Sequence, residues 1–256
     1  MALAIETNAL SRSFGTSRAV ESVDLRVEAG SFYGFLGPNG AGKSTTIKML
    51  TGLLEPTSGR MEVLGQDPRV PSQALEMKSR IGVVPEDLAL FDNLTAREYL
   101  IFVGRMHSMP GDLLRKRIDE LLGLLSLQDE EAKLTIEYSH GMKKKLALAG
   151  ALLPDPDLLF LDEPFEGVDA IASRTIRHIL TTFVERGSTV FLTSHVLEIV
   201  ERVCDHVGII VGGELVEQTA LAALGSGGSL EERFLEVVGA DAGAQNHLSW
   251  LEEDAS

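Results

Sequence analysis

The apolar residues change rhythm along the chain, and each change marks an element. Leu3 to Glu6 and Val23 to Val27 read as short strands. Phe32-Tyr33-Gly34-Phe35-Leu36 is an unbroken apolar run of strand length, and Thr45 to Leu54 follows with helical spacing. Gly59 to Leu64 and Ile81 to Val84 read as further strands. From Phe91 to about Pro156 the pattern turns helical. Thr95-Ala96-Arg97-Glu98 has the form of a capping box ahead of the apolar Tyr99 to Val103. Asp112 is a candidate cap for the next helix, whose apolar positions are Leu113, Ile118, Leu121, Leu122 and Leu125. Leu146 to Leu153 is a third helical run, stopped by Pro154-Asp155. Leu158-Leu159-Phe160-Leu161 reads as a strand buried on both faces, the parallel-sheet pattern. Thr189 to Leu192, Val207 to Val211 and Glu214 to Glu217 are the remaining strands. Strand and helix alternating in this way predict an α/β fold with a mostly parallel sheet. Residues 1–90 and 157–224 form its core, with 91–156 as a helical insert.

Gly225-Ser226-Gly227-Gly228 reads as a flexible linker. Leu230, Phe234, Leu235 and Val238 then make one amphipathic turn set, so 225–239 is expected to close the fold as a docking helix. Residues 240–256 hold four acids and no Lys or Arg, and are expected to form an acidic tail. Leu248, Trp250 and Leu251 give that tail a possible contact patch.

The chemistry begins at the first strand–helix junction. Gly37-Pro38-Asn39-Gly40-Ala41-Gly42-Lys43-Ser44-Thr45 fits G-x-x-x-x-G-K-[ST] and stands between a strand and a helix, the context this motif requires. Its glycines let the backbone turn tightly and aim successive N–H groups at phosphate oxygens. The helix start at Lys43 and Ser44 adds partial positive charge. Lys43 is placed to reach the β- and γ-phosphates, and Ser44 to bind Mg²⁺. The second apolar run ends in Asp162-Glu163, at the strand end where open α/β sheets hold ligands. Asp162 is a candidate Mg²⁺ carboxylate, direct or through water. Glu163 is a candidate general base or water-positioning group. Tyr138-Ser139-His140-Gly141-Met142-Lys143-Lys144-Lys145 opens the third helix: Ser139 looks like its N-cap, and Gly141 lets an N–H approach an anion. Three lysines there oppose the helix dipole. They fit either a solvated basic face or a neighbouring phosphate or acidic partner. His195 ends another strand, where a histidine can hydrogen-bond a phosphate or a water.

Composition narrows the class. The chain has 256 residues, 44% of them hydrophobic, enough for a large core. No apolar run approaches the roughly 18 residues that span a bilayer. The N-terminus lacks the basic start and long apolar segment of a signal peptide. The single cysteine, Cys204, excludes an internal disulfide and fits a reducing cytosol. A net charge of −15 argues against a nucleic-acid partner.

These four motifs, in this order, resemble the ATP-binding subunit of an ABC transporter. Walker A is Gly37 to Ser44, the signature Tyr138 to Met142, Walker B Leu158 to Asp162 followed by Glu163, and the switch histidine His195. Phe165-Glu166-Gly167-Val168-Asp169 resembles the D-loop, and Phe14 lies where the family stacks an aromatic residue on adenine. The resemblance runs from about Ile5 to Val238. It implies a phosphate-loop NTPase core with a mostly parallel sheet, an antiparallel β subdomain and a helical subdomain. It implies ATP and Mg²⁺ as ligands, and ATP sandwiched in a head-to-tail dimer between Walker A of one copy and Ser139, His140, Gly141 and Met142 of the next. It also implies separate transmembrane permease subunits, a second ATPase subunit and a place at the cytoplasmic face of the membrane. The Tyr-Ser-His-Gly-Met signature and the ending from Gly228 to Leu235 resemble the exporter ATPases. A soluble relative with a regulatory or assembly role is the alternative.

Four positions depart from the family pattern. His140 and Met142 replace a glycine and a glutamine of the signature. Glu166 replaces a D-loop serine. Glu86, in Ile81-Gly82-Val83-Val84-Pro85-Glu86, stands where the family has glutamine. It keeps an oxygen for Mg²⁺ and adds a negative charge near phosphate and Glu163. Its other reading is a side chain that only faces the membrane partner.

Overall fold

The computed structural model describes residues 2–227 and 229–239. The expected acidic tail 240–256 lies outside the described residues, as does Gly228. In chain order the elements are β1 (Leu3–Phe14), β2 (Ser17–Val23), β3 (Arg26–Glu28), β4 (Phe32–Leu36), α1 (Lys43–Leu50), β5 (Ser58–Val63), α2 (Pro71–Arg80) and β6 (Ile81–Val84). Then come α3 (Ala96–Met106), α4 (Gly111–Leu124), α5 (His140–Leu152), β7 (Leu158–Asp162), α6 (Ala170–Glu185) and β8 (Thr189–Thr193). The last are α7 (Leu197–Val203), β9 (His206–Val211), β10 (Glu214–Ala220) and α8 (Leu230–Val238).

The sheet order is β3-β1-β2-β10-β9-β4-β8-β7-β6, with β5 paired to β1. Strands β9, β4, β8, β7 and β6 run parallel in sequence of neighbours. Strand β1 pairs antiparallel with β2, β3 and β5, and β9 with β10. The expected fold class is therefore observed: a parallel α/β core with an antiparallel sheet region beside it.

The unbroken apolar runs are explained by burial on both faces. Alternate residues of the central strands face two different cores. Phe32, Leu36, Leu159, Leu161, Val190 and Leu192 join one cluster with α3–α5 and α6. Tyr33, Phe35, Leu158, Phe160 and Phe191 join the other, with Ile47, Met49 and Leu50 of α1 and the antiparallel strands. Phe191 lies 5.5 Å from Tyr33, 5.3 Å from Phe35 and 5.6 Å from Phe160 between ring centroids. Such pairs contribute about 0.5–1.5 kcal/mol each beyond their burial. They also hold β4, β8 and β7 in one register, which sets Asp162 opposite Thr193.

Helix α5 is buried along most of its length, from Lys144 to Leu152. It packs closely on β6: a Cβ on Gly82 would come within 2.4 Å of the Ala151 carbonyl oxygen. Gly150 similarly leaves room for the Tyr99 ring of α3. Helix α3 begins as its sequence predicts, with Thr95 and Glu98 forming a reciprocal capping box.

Several boundaries differ from expectation. Strand β1 is much longer than Leu3–Glu6, because it carries three antiparallel partners in succession. The run Val23–Val27 is two strands, broken at Asp24-Leu25, where Thr7 hydrogen-bonds Val23 O and Leu25 N and Asp24 accepts from Ala9 N. Helix α1 stops at Leu50, before Leu54. Helix α2 was not expected: Pro71 at its start was the only signal, and Met77 is its only buried residue. Asp112 does not cap α4, whose N-cap is Pro110; it sits in the first turn and pairs with Arg115. The buried positions of α4 are Leu114, Ile118 and Leu122, while Leu113 is exposed. Residues Leu221–Gly227 form a 3₁₀ helix where a flexible linker was expected. Helix α8 is capped by Ser229 and Glu232, and its inward side is Leu230, Phe234 and Val237, with Leu235 exposed.

Candidate functional site

The parallel strands deliver their C-terminal ends to one edge of the sheet. That edge holds the loop after β4, Glu86 after β6, Asp162 and Glu163 at β7, and Thr193 and His195 at β8. A cavity of about 240 Å³ opens there, lined by Ala19, Asn39, Gly40, Gly42, Lys43, Ser44, Thr45, Glu86, Asp162 and Glu163. A larger cavity, about 410 Å³, lies among Glu6, Asn8, Asp24, Arg26, Arg60 and Glu62. It lacks a glycine loop or helix start, so its size carries no argument for nucleotide.

The loop's glycines have separate physical reasons. Gly40 at φ 80° and Gly42 at φ 108° adopt the left-handed region that disfavours a side chain. A Cβ on Gly37 would meet Ile210 O at 2.3 Å, and one on Gly42 would meet Ala19 O at 2.5 Å. Gly42 is the N-cap of α1 and offers no side chain, so the helix start is left without a side-chain cap. Lys43 is buried and donates to Gly37 O at 2.7 Å and Pro38 O at 3.2 Å, which curls the loop around its ammonium. Ala41 N–H donates to Pro38 O, closing the same turn. Pro38 and Ala41 shape the loop without lining the cavity.

The carboxylate side is held by β8. Thr193 Oγ1 donates to Asp162 Oδ1 at 2.5 Å and accepts from Glu163 N at 3.1 Å. The Glu163 carboxylate accepts from His195 N at 3.3 Å and contacts His195 Nδ1 at 2.9 Å. Glu163 has φ 49°, the left-handed region, although it is not glycine. Its side chain is 11% exposed, that of His195 55%. Ser44 Oγ donates to Glu86 Oε2 at 3.3 Å, which joins the loop to the strand end after β6. Among the described residues no three His, Cys, Asp or Glu side chains close as a metal cage. Ser44, Glu86 and Asp162 share one cavity, an arrangement suited to a small cation that keeps phosphate oxygens in its shell.

The remaining expected site residues stand elsewhere. Phe14 is half exposed in the β1–β2 hairpin and outside the cavity lining, with the Arg12 guanidinium 4.6 Å from its ring centroid. Ser139 caps α5, accepting from Met142 N at 3.3 Å. It is exposed, as is His140. The signature turn lies against the D-loop of its own chain: a Cβ on Gly141 would approach Gly167 O at 3.1 Å, and one on Gly167 would meet His140 Cδ2 at 2.9 Å. Asp169 is the N-cap of α6, and the Ala172 N–H, then Ile171 N–H and the Lys145 charge, hold its carboxyl below the usual carboxylate range.

Sequence reasoning missed two residues. Thr193 joins Asp162 to Glu163, a role that only strand register reveals. Lys144 is buried, not a member of a solvated basic face. Its one sequence signal was an unfavourable cation near a helix start.

A family model described as ABC transporter matches residues 20–166, more than half of the chain. The chain belongs to the ABC transporter family. It is 41% identical over 219 residues to the bacitracin transport ATP-binding protein BcrA of Bacillus licheniformis, covering 85% of this chain and 70% of that protein. It is 39% identical over 224 residues to a Nod factor export ATP-binding protein I of Burkholderia lata, covering 86% and 72%. Its fold is similar to an ATP-binding cassette solved as a dimer in a post-hydrolysis state bound to ADP and Pi, with TM-score 0.76 and 25% identity over 85% of this chain and 98% of that one. This ABC protein is an ATP-binding subunit that hydrolyses ATP to power transport. No described helix is long and apolar enough to cross a membrane.

Proposed function

We propose that this ABC subunit drives an exporter from the cytoplasmic face of a membrane, docked on separate permease subunits and working as a head-to-tail pair of identical copies. The bacitracin and Nod factor relatives support the export direction. The exposed apolar side chains Phe91, Phe102 and Met106 support a docked partner. Phe91 and Phe102 form an edge-to-face pair 5.2 Å apart, and Met106 follows one turn further along α3.

In this reading the Gly37–Thr45 loop and Lys43 hold the triphosphate, with Phe14 stacking on adenine. Ser44, Glu86 and Asp162 hold Mg²⁺, which supplies charge neutralisation between phosphate oxygens. Glu163 takes the proton of the attacking water or positions it, and His195 orients Glu163. Ser139, Gly141 and their neighbours His140 and Met142 close over the γ-phosphate of the other copy, and Asp169 ends the loop beside that interface. Closure surrounds the transferring phosphoryl group with fixed donors, and loss of the γ-phosphate releases the interface. One observation carries the proposal: the Ser139-capped helix start is exposed and lies outside its own chain's nucleotide cavity.

The test is Glu163→Gln with MgATP, measured by light scattering and ATP turnover. Turnover is expected to fall by about 10²–10⁴, with ATP still bound and a dimer accumulating without any membrane partner. A Glu163→Gln variant that binds MgATP yet stays monomeric would falsify the paired mechanism.

A further inference from the structure

We infer that Lys144 is a positioning residue that ties the signature helix to Glu163. The inference rests on the assignment of Glu163 to the attacking water.

Lys144 lies in the second turn of α5, five residues after Ser139. Its side chain is 2% exposed, so the ammonium has left water and requires partners from the protein. It donates to the Glu163 carbonyl oxygen at 2.7 Å and reaches Glu166 Oε2 at 3.5 Å. Glu166, about half exposed, is the residue that replaces the D-loop serine. Lys144 and Glu166 thus form one unit: a buried cation in the helix and an anion in the loop that follows Glu163.

Glu163 is consequently held at every polar atom of its backbone. Its N–H donates to Thr193 and its carbonyl accepts from Lys144, while His195 contacts the carboxylate. A non-glycine residue at φ 49° keeps that conformation only when its surroundings over-determine it. Thr193 anchors the residue from β8. Lys144 anchors it from α5, the helix whose first residues carry the signature turn. Any displacement of that turn therefore acts on the Glu163 peptide through a single rigid helix turn and one buried side chain. Ser139 reports closure and Lys144 transmits it to the carboxylate.

The test uses the purified full chain and compares Lys144→Met, Lys144→Arg and Glu163→Gln. Turnover, ATP Kd and thermal midpoint are measured for each. Methionine keeps the buried stem and removes the donor and charge. Lys144→Met is expected to lower kcat about tenfold, in the range that small misplacements of reacting groups produce. Its ATP Kd stays within about twofold, because the phosphate loop is untouched, and Lys144→Arg recovers most of the rate. Should Lys144→Met fail to fold, Lys144→Leu, which also keeps an apolar stem and removes the donor, takes its place with the same split between kcat and Kd. Wild-type kcat in the Met or Leu variant, with Glu163→Gln inactive, overturns the inference. A loss of kcat matched by an equal loss of ATP binding and of thermal midpoint, without recovery in Lys144→Arg, also overturns it. Full turnover in Glu163→Gln instead overturns the assignment on which the inference rests.

Discussion

Two helix starts in this molecule have the form of an anion site, and they differ in what surrounds them. At α1 the start is uncapped by any side chain, wrapped by the Gly37–Gly42 loop and backed by buried Lys43. At α5 the start is capped by Ser139, flanked on one side by the Gly167 loop rather than wrapped, and leaves Ser139 and His140 exposed. The same backbone physics thus gives a finished cradle in one place and an open half-site in the other. The chain encloses phosphate with local sequence at α1. At α5 it leaves room for something outside itself, which on the proposed reading is ATP bound to a second copy.

Lys43→Ala breaks the finished side most severely. Removing a buried, hydrogen-bonded cation from a phosphate site costs about 2–5 kcal/mol. ATP Kd, measured by fluorescent-nucleotide titration, is therefore expected to rise by about two orders of magnitude. If binding persists at wild-type strength, the α1 cradle is not where phosphate is held.

Ser139→Ala sharpens the difference. ATP Kd of the single protomer is expected to stay within about twofold, while turnover drops about tenfold, since a hydrogen bond to a charged group contributes about 1.5–3 kcal/mol. Loss of the α5 cap costs about 1 kcal/mol of stability, visible in thermal unfolding. Equal losses in binding and turnover would place both helix starts in one protomer's site and erase the comparison.

Thr95→Ala is the smallest change. It removes a capping box of the same type at α3, away from both anion sites. Stability is expected to fall by about 1 kcal/mol, or roughly 2–4 °C in Tm for a chain of this size, with ATP turnover per folded molecule unchanged. A tenfold loss of turnover here would mean that α3 capping, and not only the signature cap, controls closure.

The site was legible wherever one stretch of chain carries the chemistry. Gly37 to Thr45, Asp162-Glu163 and His195 could be picked out because each sits at the end of a continuous apolar run. Ser139 was legible as a cap from its position before a helical run. Thr193 was not, since its partners Asp162 and Glu163 are 31 and 30 residues away and meet it only through strand pairing. Lys144 was one of three lysines that fitted either a solvated face or an acidic neighbour, with nothing local to separate it from the other two. Its burial depends on Glu163 and Glu166 arriving from β7 and the loop beyond it.

The fold divided along the same line. Continuous apolar strands announced a sheet covered on both faces, and Thr95 and Glu98 announced the start of α3. The long β1, the split between β2 and β3, and helix α2 were hidden. Their lengths are set by cross-strand partners or by a single buried Met77, which leave little periodic trace in the chain.

By itself, then, the order of residues determined the phosphate cradle, the acidic strand end and the α/β class, because hydrogen-bonding loops and burial periodicity are local properties. Tertiary structure alone decided that Glu163 is gripped through its backbone by Thr193 and Lys144, and that Ser139 faces outward. Those contacts join segments far apart in the chain, and no local pattern encodes the register that brings them together.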